Sequence, residues 1–118
     1  THGHAAGDAV LAALGRLLRE TAREVDVVAR LGGEEFALLL PSTDLGGARA
    51  TAERVRLAVE QLVVRDGPRV LRATVSLGVA EYAVTDDALG EGVAGLLARA
   101  DGALYAAKRR GRNCTVVA

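Results

Sequence analysis

The sequence predicts an α/β domain in which helices flank a mixed sheet. Three stretches of the 118-residue chain carry the helical period of apolar residues, and they alternate with short β-branched or alternating stretches. Hydrophobic residues make up 50% and charged residues 25% of the chain, which excludes intrinsic disorder. No apolar run approaches the roughly 18 residues of a membrane-spanning helix. The 15 basic residues balance 15 acidic ones, so the net charge does not indicate nucleic acid as a partner.

The first predicted helix covers residues 8–24 and is followed by a β-hairpin. Asp8 stands at its start, where a carboxylate can cap free backbone N–H groups. Residues 25–31 and 34–40 are the predicted strands, and the Gly-Gly pair between them predicts a tight turn, because both central positions need a positive φ. The apolar face of the helix consists of Val10, Leu11, Leu14, Leu17 and Leu18.

A second helix and a long strand follow. Ser42 or Thr43 is the predicted cap of the helix, which ends near Leu62. Residues 66–68 read Asp-Gly-Pro and predict a turn. Residues 69–83 (RVLRATVSLGVAEYA) are predicted as strand, in one piece or two. The inward stripe of the second helix is predicted to be Ala48, Ala52, Val55, Val59 and Leu62.

The last third of the chain predicts a loop, a helix and a short strand. Gly78 marks a bulge or a close approach within the preceding strand. Residues 84–91 are polar and predict a loop, and residues 92–110 predict a helix that Gly111 ends. Residues 114–117 predict the final strand. The inward residues of this third helix are predicted to be Val93, Leu96, Leu97, Ala100, Leu104 and Ala107.

The segment from Arg30 to Phe36, which reads RLGGEEF, admits two interpretations. In the first, the glycines form a hairpin turn and the glutamates only keep the turn hydrated. In the second, carboxylates at the hairpin tip hold a divalent cation, because hard oxygen ligands suit Mg²⁺. Side chains alternate along a strand, so Glu34 and Glu35 are expected to point to opposite faces.

The same segment resembles the signature of the GGDEF family, the diguanylate cyclases, in its GGEEF form. Further segments are similar to other motifs of this family and follow in the family's order. The resemblance covers the whole chain, residues 1–118, and implies a nucleotidyl-cyclase or polymerase-palm fold. These further segments are residues 3–8 (GHAAGD), 23–26 (REVD), 74–80 (TVSLGVA), 100–108 (ADGALYAAK) and 111–113 (GRN).

The resemblance implies an enzyme that condenses two GTP molecules into cyclic di-GMP and two pyrophosphates. Glu34 would be catalytic and would bind Mg²⁺ or Mn²⁺, and Glu35 would support the metal or substrate. Asp8 would bind guanine, with helix capping as the simpler alternative. Lys108 and Arg112 would hold the triphosphate, with a favourable charge at a helix end as the alternative. The implied GTP-binding residues are Asp8, Gly32, Gly33, Lys108 and Arg112.

The resemblance also implies an inhibitory site for the product. Arg23 and Asp26 match the family's RxxD motif, and Arg54 resembles a secondary arginine of that site. Arginine suits this role because its planar fork binds phosphate bidentately. The simpler alternative is an i, i+3 salt bridge at a helix end.

The family's first strand, with a metal-binding Asp and a guanine-binding Asn, would lie before Thr1. The chain starts without Met, so we expect a domain incomplete at its N-terminus, inactive as residues 1–118 alone, in a protein with an upstream sensory or receiver domain. Catalysis implies a homodimer. The lone Cys114 indicates a reducing cytoplasm, although a parent protein could be membrane-anchored.

Two other functions remain open: an inactive domain that senses cyclic di-GMP, and a dimerisation module without a ligand.

Overall fold

The computed structural model describes the backbone of residues 3–82 and 92–118 and the side chains of residues 7–82 and 92–118. The predicted loop at 84–91 lies outside these residues. Helices and short strands alternate, which confirms the α/β class. In the described ranges the elements are α1 (Gly3–Thr21), β1 (Val27–Gly32), β2 (Glu35–Leu39), α2 (Leu45–Gln61), β3 (Val64–Asp66), β4 (Arg69–Leu71), β5 (Leu77–Val79), α3 (Gly92–Arg109) and β6 (Thr115–Val117).

The strands contain both antiparallel and parallel pairs, as a mixed sheet requires. They are β1–β2 and β3–β4, both antiparallel, and β5–β6, which is parallel. Across the described strands these ladders form three separate two-stranded sheets, not the one sheet that the sequence predicted, because each strand is hydrogen-bonded to a single partner. None of the described helices is long and apolar enough to cross a membrane.

The chain divides into two compact units. The first unit comprises Thr1–Ser42 and Leu57–Ala73, and therefore holds α1 and both antiparallel hairpins. The second unit comprises Thr43–Arg56 and Thr74–Ala118, and holds most of α2, the parallel pair and α3.

Helix α1 begins and ends earlier than its apolar pattern predicts. It begins at Gly3, so Asp8 lies in the second turn and does not cap the helix. Its last turn is closed by the Thr21 hydroxyl, which donates to the Leu17 carbonyl at 2.9 Å. Residues 22–24, predicted as helical, lie beyond its end, where the chain turns towards β1. Apolar burial on α1 centres on Ala13 and Leu18.

The β1–β2 hairpin turns one residue later than predicted. Gly32 pairs with Glu35, so the two loop residues are Gly33 and Glu34. The register shifts between Arg30 and Gly32, which leaves Leu31 as the extra residue of a β-bulge. Gly33 has φ 52°, and only this first loop position is left-handed. The bulge thus moves the turn from Gly-Gly to Gly-Glu.

The predicted strand over residues 69–83 is wrong in its extent. Residues 69–71 form β4, which pairs with β3. Asp66 pairs with Arg69, so the loop between the two strands consists of Gly67, with φ 60°, and Pro68. Residues 77–79 pair instead with β6. The predicted stretch therefore contains two strands, β4 and β5, which pair with different partners and are connected by residues 72–76. The turn predicted at residues 66–68 is confirmed.

In the second unit, α2 begins at an aspartate cap. The Asp44 carboxylate accepts a hydrogen bond from the Gly47 backbone N–H at 2.7 Å, so the cap is Asp44 and neither Ser42 nor Thr43. Of the five residues predicted to face inward, Ala52, Val55 and Val59 are buried. Ala48 and Leu62 are half-buried, and Leu62 lies beyond the end of α2 at Gln61.

Gly78 on β5 lies directly against α3. A Cβ built there would lie 2.9 Å from the Leu104 Cα and would overlap the Ala100 carbonyl oxygen and the Leu104 nitrogen. The predicted close approach is confirmed. The inward face of α3 differs from its prediction, because Val93 and Leu97 are 63% and 45% exposed. Its buried residues are Ala103 and Ala107.

Candidate functional site

Two adjacent carboxylates occupy the tip of the β1–β2 hairpin. Glu34 is the second residue of the turn, and Glu35 is the first residue of β2. Both are exposed, as are Gly32 and Gly33 beside them. Glu34 belongs to the turn and not to a strand, so strand alternation does not determine how the two glutamate side chains point relative to each other. The tip therefore presents two solvent-facing acceptors beside two glycines that leave the backbone uncovered.

Arg30 holds the turn from within the hairpin. Its Nε donates to the Gly33 carbonyl oxygen at 2.9 Å and its Nη2 donates to the same oxygen at 2.6 Å. Gly33 immediately precedes Glu34, so this contact fixes the peptide that carries the exposed carboxylate. The sequence pattern alone predicts no role for Arg30. The available signal was its place just before the bulge, from which an arginine can reach back over its own turn.

A cavity of about 330 Å³ lies between α1 and the hairpin. Asp8 lines it together with Phe36 and two arginines, Arg19 and Arg30, so the predicted guanine-binding carboxylate shares this space with an aromatic residue and two cations. None of the residues from Gly32 to Glu35 at the described hairpin tip lines this cavity. The complete lining is Asp8, Leu11, Ala12, Gly15, Arg19, Val28, Arg30 and Phe36.

Arg23 and Asp26 form a compact ion pair in the turn between α1 and β1. The Arg23 Nη2 lies 2.9 Å from Asp26 Oδ1, and the Arg23 backbone N–H donates to Asp26 Oδ2 at 2.7 Å. A second bond runs from Arg23 Nη2 to the Pro41 carbonyl oxygen at 2.8 Å. These hydrogen bonds from Arg23 hold the pKa of the Asp26 carboxyl below its ordinary value, and the Asp26 carboxylate in turn raises the pKa of Arg23. The salt-bridge alternative is therefore present, beyond the end of the helix.

Lys108 and Arg112 flank the C-terminus of α3 in the second unit. The Gly111 N–H donates to the Lys108 carbonyl at 3.4 Å, and the Arg112 N–H donates to the Ala107 carbonyl at 3.1 Å. These two bonds form a Schellman motif, the usual end of a helix at a glycine. Lys108 is half-buried and Arg112 is exposed. The helix end thus carries both cations on one capped turn.

Arg54 lies on α2, also in the second unit, with an exposed side chain. Its Nη2 donates to the Thr51 hydroxyl at 3.3 Å. The structure therefore does not bring all the predicted site residues together. Asp8 lines the cavity beside α1, and Gly32 to Glu35 form the hairpin tip without lining that cavity. Arg23 pairs with Asp26, and the predicted cations Arg54, Lys108 and Arg112 belong to the second unit.

The donor chemistry of the hairpin tip fits a hard divalent cation. Mg²⁺ is usually bound through one or two carboxylates and completes its shell with water and substrate phosphates. Glu34 and Glu35 supply two adjacent carboxylates. Over residues 3–82 and 92–118, no cluster of three or more His, Cys, Asp or Glu side chains forms a protein-only metal cage. This donor set therefore fits a cation that is bound partly by the two glutamates and partly by substrate phosphates and water.

Comparison with known proteins identifies the chain's relatives. A family profile described as "Diguanylate cyclase, GGDEF domain" matches residues 1–114. Diguanylate cyclase A of Treponema denticola is 39% identical over 113 residues, which cover 96% of this chain and 29% of that protein. Diguanylate cyclase DgcM of Escherichia coli K12 is 44% identical over 117 residues, covering 99% of this chain and 27% of that protein. The chain thus spans less than a third of these curated relatives.

Solved structures show the same fold. The diguanylate cyclase SiaD from Pseudomonas aeruginosa, solved in complex with its activator SiaC, superposes with a TM-score of 0.89 at 45% identity and covers 98% of this chain and 43% of that one. The GGDEF domain of DgcB from Caulobacter crescentus, solved in complex with c-di-GMP, superposes with a TM-score of 0.86 at 33% identity and covers 98% of this chain and 66% of that one.

Proposed function

This chain belongs to the GGDEF family of diguanylate cyclase domains, and we propose that the protein carrying it condenses two GTP molecules into cyclic di-GMP and two pyrophosphates. The observation that carries the proposal is the hairpin tip. An exposed Glu34 sits in a turn that Arg30 holds through the Gly33 carbonyl. Glutamates that only keep a turn hydrated do not need a fixed backbone. A catalytic carboxylate does need a fixed position, and the two hydrogen bonds to the Gly33 carbonyl supply it.

Glu34 is the proposed metal ligand and Glu35 the supporting carboxylate. Mg²⁺ or Mn²⁺, when bound, neutralises the charge that develops on the phosphate oxygens during transfer. Both glutamates are exposed, so the carboxylates can meet a nucleotide without rearrangement of a core. Gly32 and Gly33 leave room for the nucleotide to approach the backbone.

Asp8 is the proposed guanine ligand. It lines the cavity between α1 and the hairpin, together with the aromatic Phe36 and the apolar Leu11. A carboxylate accepts from the N–H groups on the guanine edge, and burial of the base against apolar groups adds to affinity. Lys108 and Arg112 are the proposed triphosphate ligands, because both cations lie at the capped end of α3.

The proposed reaction is a phosphoryl transfer that occurs twice. The 3′-hydroxyl oxygen of one GTP forms a bond to the α-phosphorus of the other, and the bond between that phosphorus and the β-phosphate bridging oxygen breaks. The proton of the hydroxyl passes to a carboxylate oxygen of Glu34, and pyrophosphate leaves. Because one domain would hold one GTP, we propose that two copies face each other with two-fold symmetry.

We further propose that cyclic di-GMP binds at Arg23 and Asp26 and inhibits the enzyme. The Arg23 side chain is 54% exposed even while it is paired with Asp26, so a ligand can reach this side chain from solvent. Arg54 would contribute from a second copy of the domain. We place the domain in the cytoplasm, downstream of a sensory or receiver domain.

The alternative function is a domain that binds cyclic di-GMP without making it. The Arg23–Asp26 pair is compatible with it. The two exposed glutamates at an ordered turn favour the enzyme, because a sensor has no use for a metal-binding tip. An assay of the full-length protein with GTP and Mg²⁺, followed by chromatography of the nucleotides, separates the two: formation of cyclic di-GMP supports the enzyme, and tight binding of cyclic di-GMP without turnover supports the sensor.

A further inference from the structure

Three consecutive residues after α3 have left-handed backbone conformations. Their φ values are 110° at Gly111, 66° at Arg112 and 45° at Asn113. Glycine adopts this region freely and asparagine tolerates it, but arginine does so at a cost in free energy. Such residues persist where surrounding contacts impose the conformation, and they are common at ligand sites. The cost falls here on Arg112, a proposed ligand of the triphosphate.

The Schellman motif accounts for only the first of these three residues. Its two bonds satisfy the carbonyls of Lys108 and Ala107 and require a left-handed residue at Gly111. These two hydrogen bonds do not require a positive φ at Arg112 or Asn113. Contacts beyond the helix must therefore maintain the second and third left-handed residues.

Those contacts converge on Asn113. Its backbone N–H donates to the Ser76 hydroxyl at 3.2 Å. The Arg56 Nη1 lies 3.3 Å from the Asn113 side-chain oxygen and 3.5 Å from its backbone carbonyl oxygen. Backbone and side chain of Asn113 are thus both held, directly after Arg112.

Arg56 is itself held in place. Its Nε donates to Glu53 Oε2 at 2.7 Å and its Nη2 donates to Glu53 Oε1 at 3.2 Å, a bidentate pair. The Thr115 hydroxyl donates to the same Oε2 at 2.7 Å. The Arg56 side chain is 18% exposed. This network of Glu53, Arg56, Asn113 and Thr115 joins α2 to the end of the loop and to the first residue of β6, all within the second unit.

We propose that Arg56 is a positioning residue, which holds Asn113 so that the left-handed loop presents Arg112 to the triphosphate of GTP. This role rests on the proposed function. Arg56 need not touch the nucleotide; it limits the conformations of the loop before GTP arrives, so that less conformational freedom is lost on binding. Arginine is required because one planar guanidinium bonds the Glu53 carboxylate with two nitrogens and Asn113 with the third.

The test is a double-mutant cycle in the full-length protein. The variants are Arg56→Ala, Arg112→Ala and the double variant, and Arg65→Ala is the control because Arg65 is an exposed arginine on β3. Asn113→Gly is a second route to the same loss: it keeps a backbone suited to positive φ and removes the side-chain oxygen that Arg56 contacts. It carries the test if Arg56→Ala fails to fold. The readouts are the KM for GTP and the dissociation constants of GTP and GMP.

Arg56→Ala and Asn113→Gly are each expected to weaken GTP binding roughly tenfold, to leave GMP binding unchanged, and to have no further effect when Arg112 is already alanine. Equal weakening of GTP and GMP, or full additivity with Arg112→Ala, would overturn the positioning role, since both results describe a general structural defect. Wild-type GTP binding that Arg112→Ala weakens and Asn113→Gly does not would overturn this role and leave the proposed function standing. Absence of GTP binding by the wild-type protein would overturn both.

Discussion

Arg23 and Asp26 are joined by side chain and backbone at once: Arg23 Nη2 lies 2.9 Å from Asp26 Oδ1, and the Arg23 N–H donates to Asp26 Oδ2 at 2.7 Å. The exposures of the two side chains differ sharply, at 54% for Arg23 and 3% for Asp26. The Asp26 side chain is therefore buried within the turn, while more than half of the Arg23 side chain is exposed to solvent. This asymmetry suits a site where Arg23 contacts a ligand and Asp26 orients Arg23.

Replacement of Arg23 by alanine is expected to relieve product inhibition. The concentration of cyclic di-GMP needed for half-inhibition should rise at least about tenfold, because a charge-assisted contact to phosphate is lost. The KM for GTP should change little, since Arg23 lies at the opposite end of β1 from the hairpin tip. Arg54→Ala should weaken inhibition partially. Arg16→Ala, at an exposed position of α1, is the control. Inhibition that is undiminished in Arg23→Ala, or purely competitive with GTP, would remove the allosteric interpretation.

Loss of the Arg30 contact is expected to slow turnover without unfolding the protein. Arg30→Ala removes both bonds to the Gly33 carbonyl, and Arg30→Lys keeps the charge but replaces the fork with a single point donor. Turnover should fall roughly fivefold to tenfold in both variants, because each loosens the turn that carries Glu34. Arg65→Ala, an exposed strand residue, should behave as wild type. Normal kcat in Arg30→Ala would show that the turn does not depend on this arginine.

The hairpin illustrates what the sequence can predict. The Gly-Gly pair between a β-branched stretch, VDVVARL, and the apolar stretch EEFALLL is sufficient to predict two strands and a tip with two carboxylates. It could not predict that Gly33 and Glu34 form the loop, because the bulge at Leu31 shifts the register by one residue. The turn propensity of glycine indicates where the chain reverses. The hydrogen-bond register between the two strands determines which residues form the loop.

Long-range contacts were similarly out of reach. The alternation over residues 69–83 predicts strand structure. It does not predict that β4 pairs with β3 and β5 with β6, because these pairings depend on residues outside the stretch. The contact between Arg56 and Asn113 joins residues 57 positions apart. Only the fold brings them together, and a lone arginine on a helix carries no signal of it.

Gly78 is expected to tolerate no side chain. Gly78→Ala would drive a methyl group into the Ala100 carbonyl and the Leu104 nitrogen, which are backbone atoms that cannot rotate away. We expect a loss of about 1–3 kcal/mol or more in the free energy of unfolding. Gly102→Ala on α3 is the matched control: nothing lies within 4 Å of the added methyl, and the better helix propensity should stabilise by up to about 1 kcal/mol. Equal unfolding midpoints for the two variants, measured by denaturant titration, would contradict the close approach.

Glu53 predicts a specific pH dependence of stability. Hydrogen bonds from Arg56 and Thr115 hold the pKa of the Glu53 carboxyl below its ordinary value of 4.5. A lowered pKa in the folded state means that the ion pair stabilises the fold above the ordinary value, and that this contribution is lost as the pH falls through the folded-state pKa.

Glu53→Gln should therefore lower the midpoint of thermal unfolding by about 2–4 °C at pH 7, and the difference from wild type should shrink below about pH 4. Asp26 remains in both proteins, so its own titration cancels in this difference. Glu20→Gln, at an exposed position of α1, should leave the midpoint unchanged at both pH values. A Glu53→Gln difference that is constant from pH 7 to pH 3 would exclude a contribution from the charged carboxylate.

The most direct test of the proposed enzyme is the yield of cyclic di-GMP from the full-length protein and its Glu34→Gln variant, incubated with GTP and Mg²⁺ and measured by mass spectrometry. The wild-type protein should form one cyclic di-GMP and two pyrophosphates per two GTP. Glu34→Gln should lose at least about a thousandfold in turnover, since a metal ligand supplies several kcal/mol of transition-state stabilisation. It should unfold at the same temperature as wild type, because Glu34 is exposed at a turn. Near-normal turnover by a folded Glu34→Gln variant, or no product from the wild-type protein, would contradict the account.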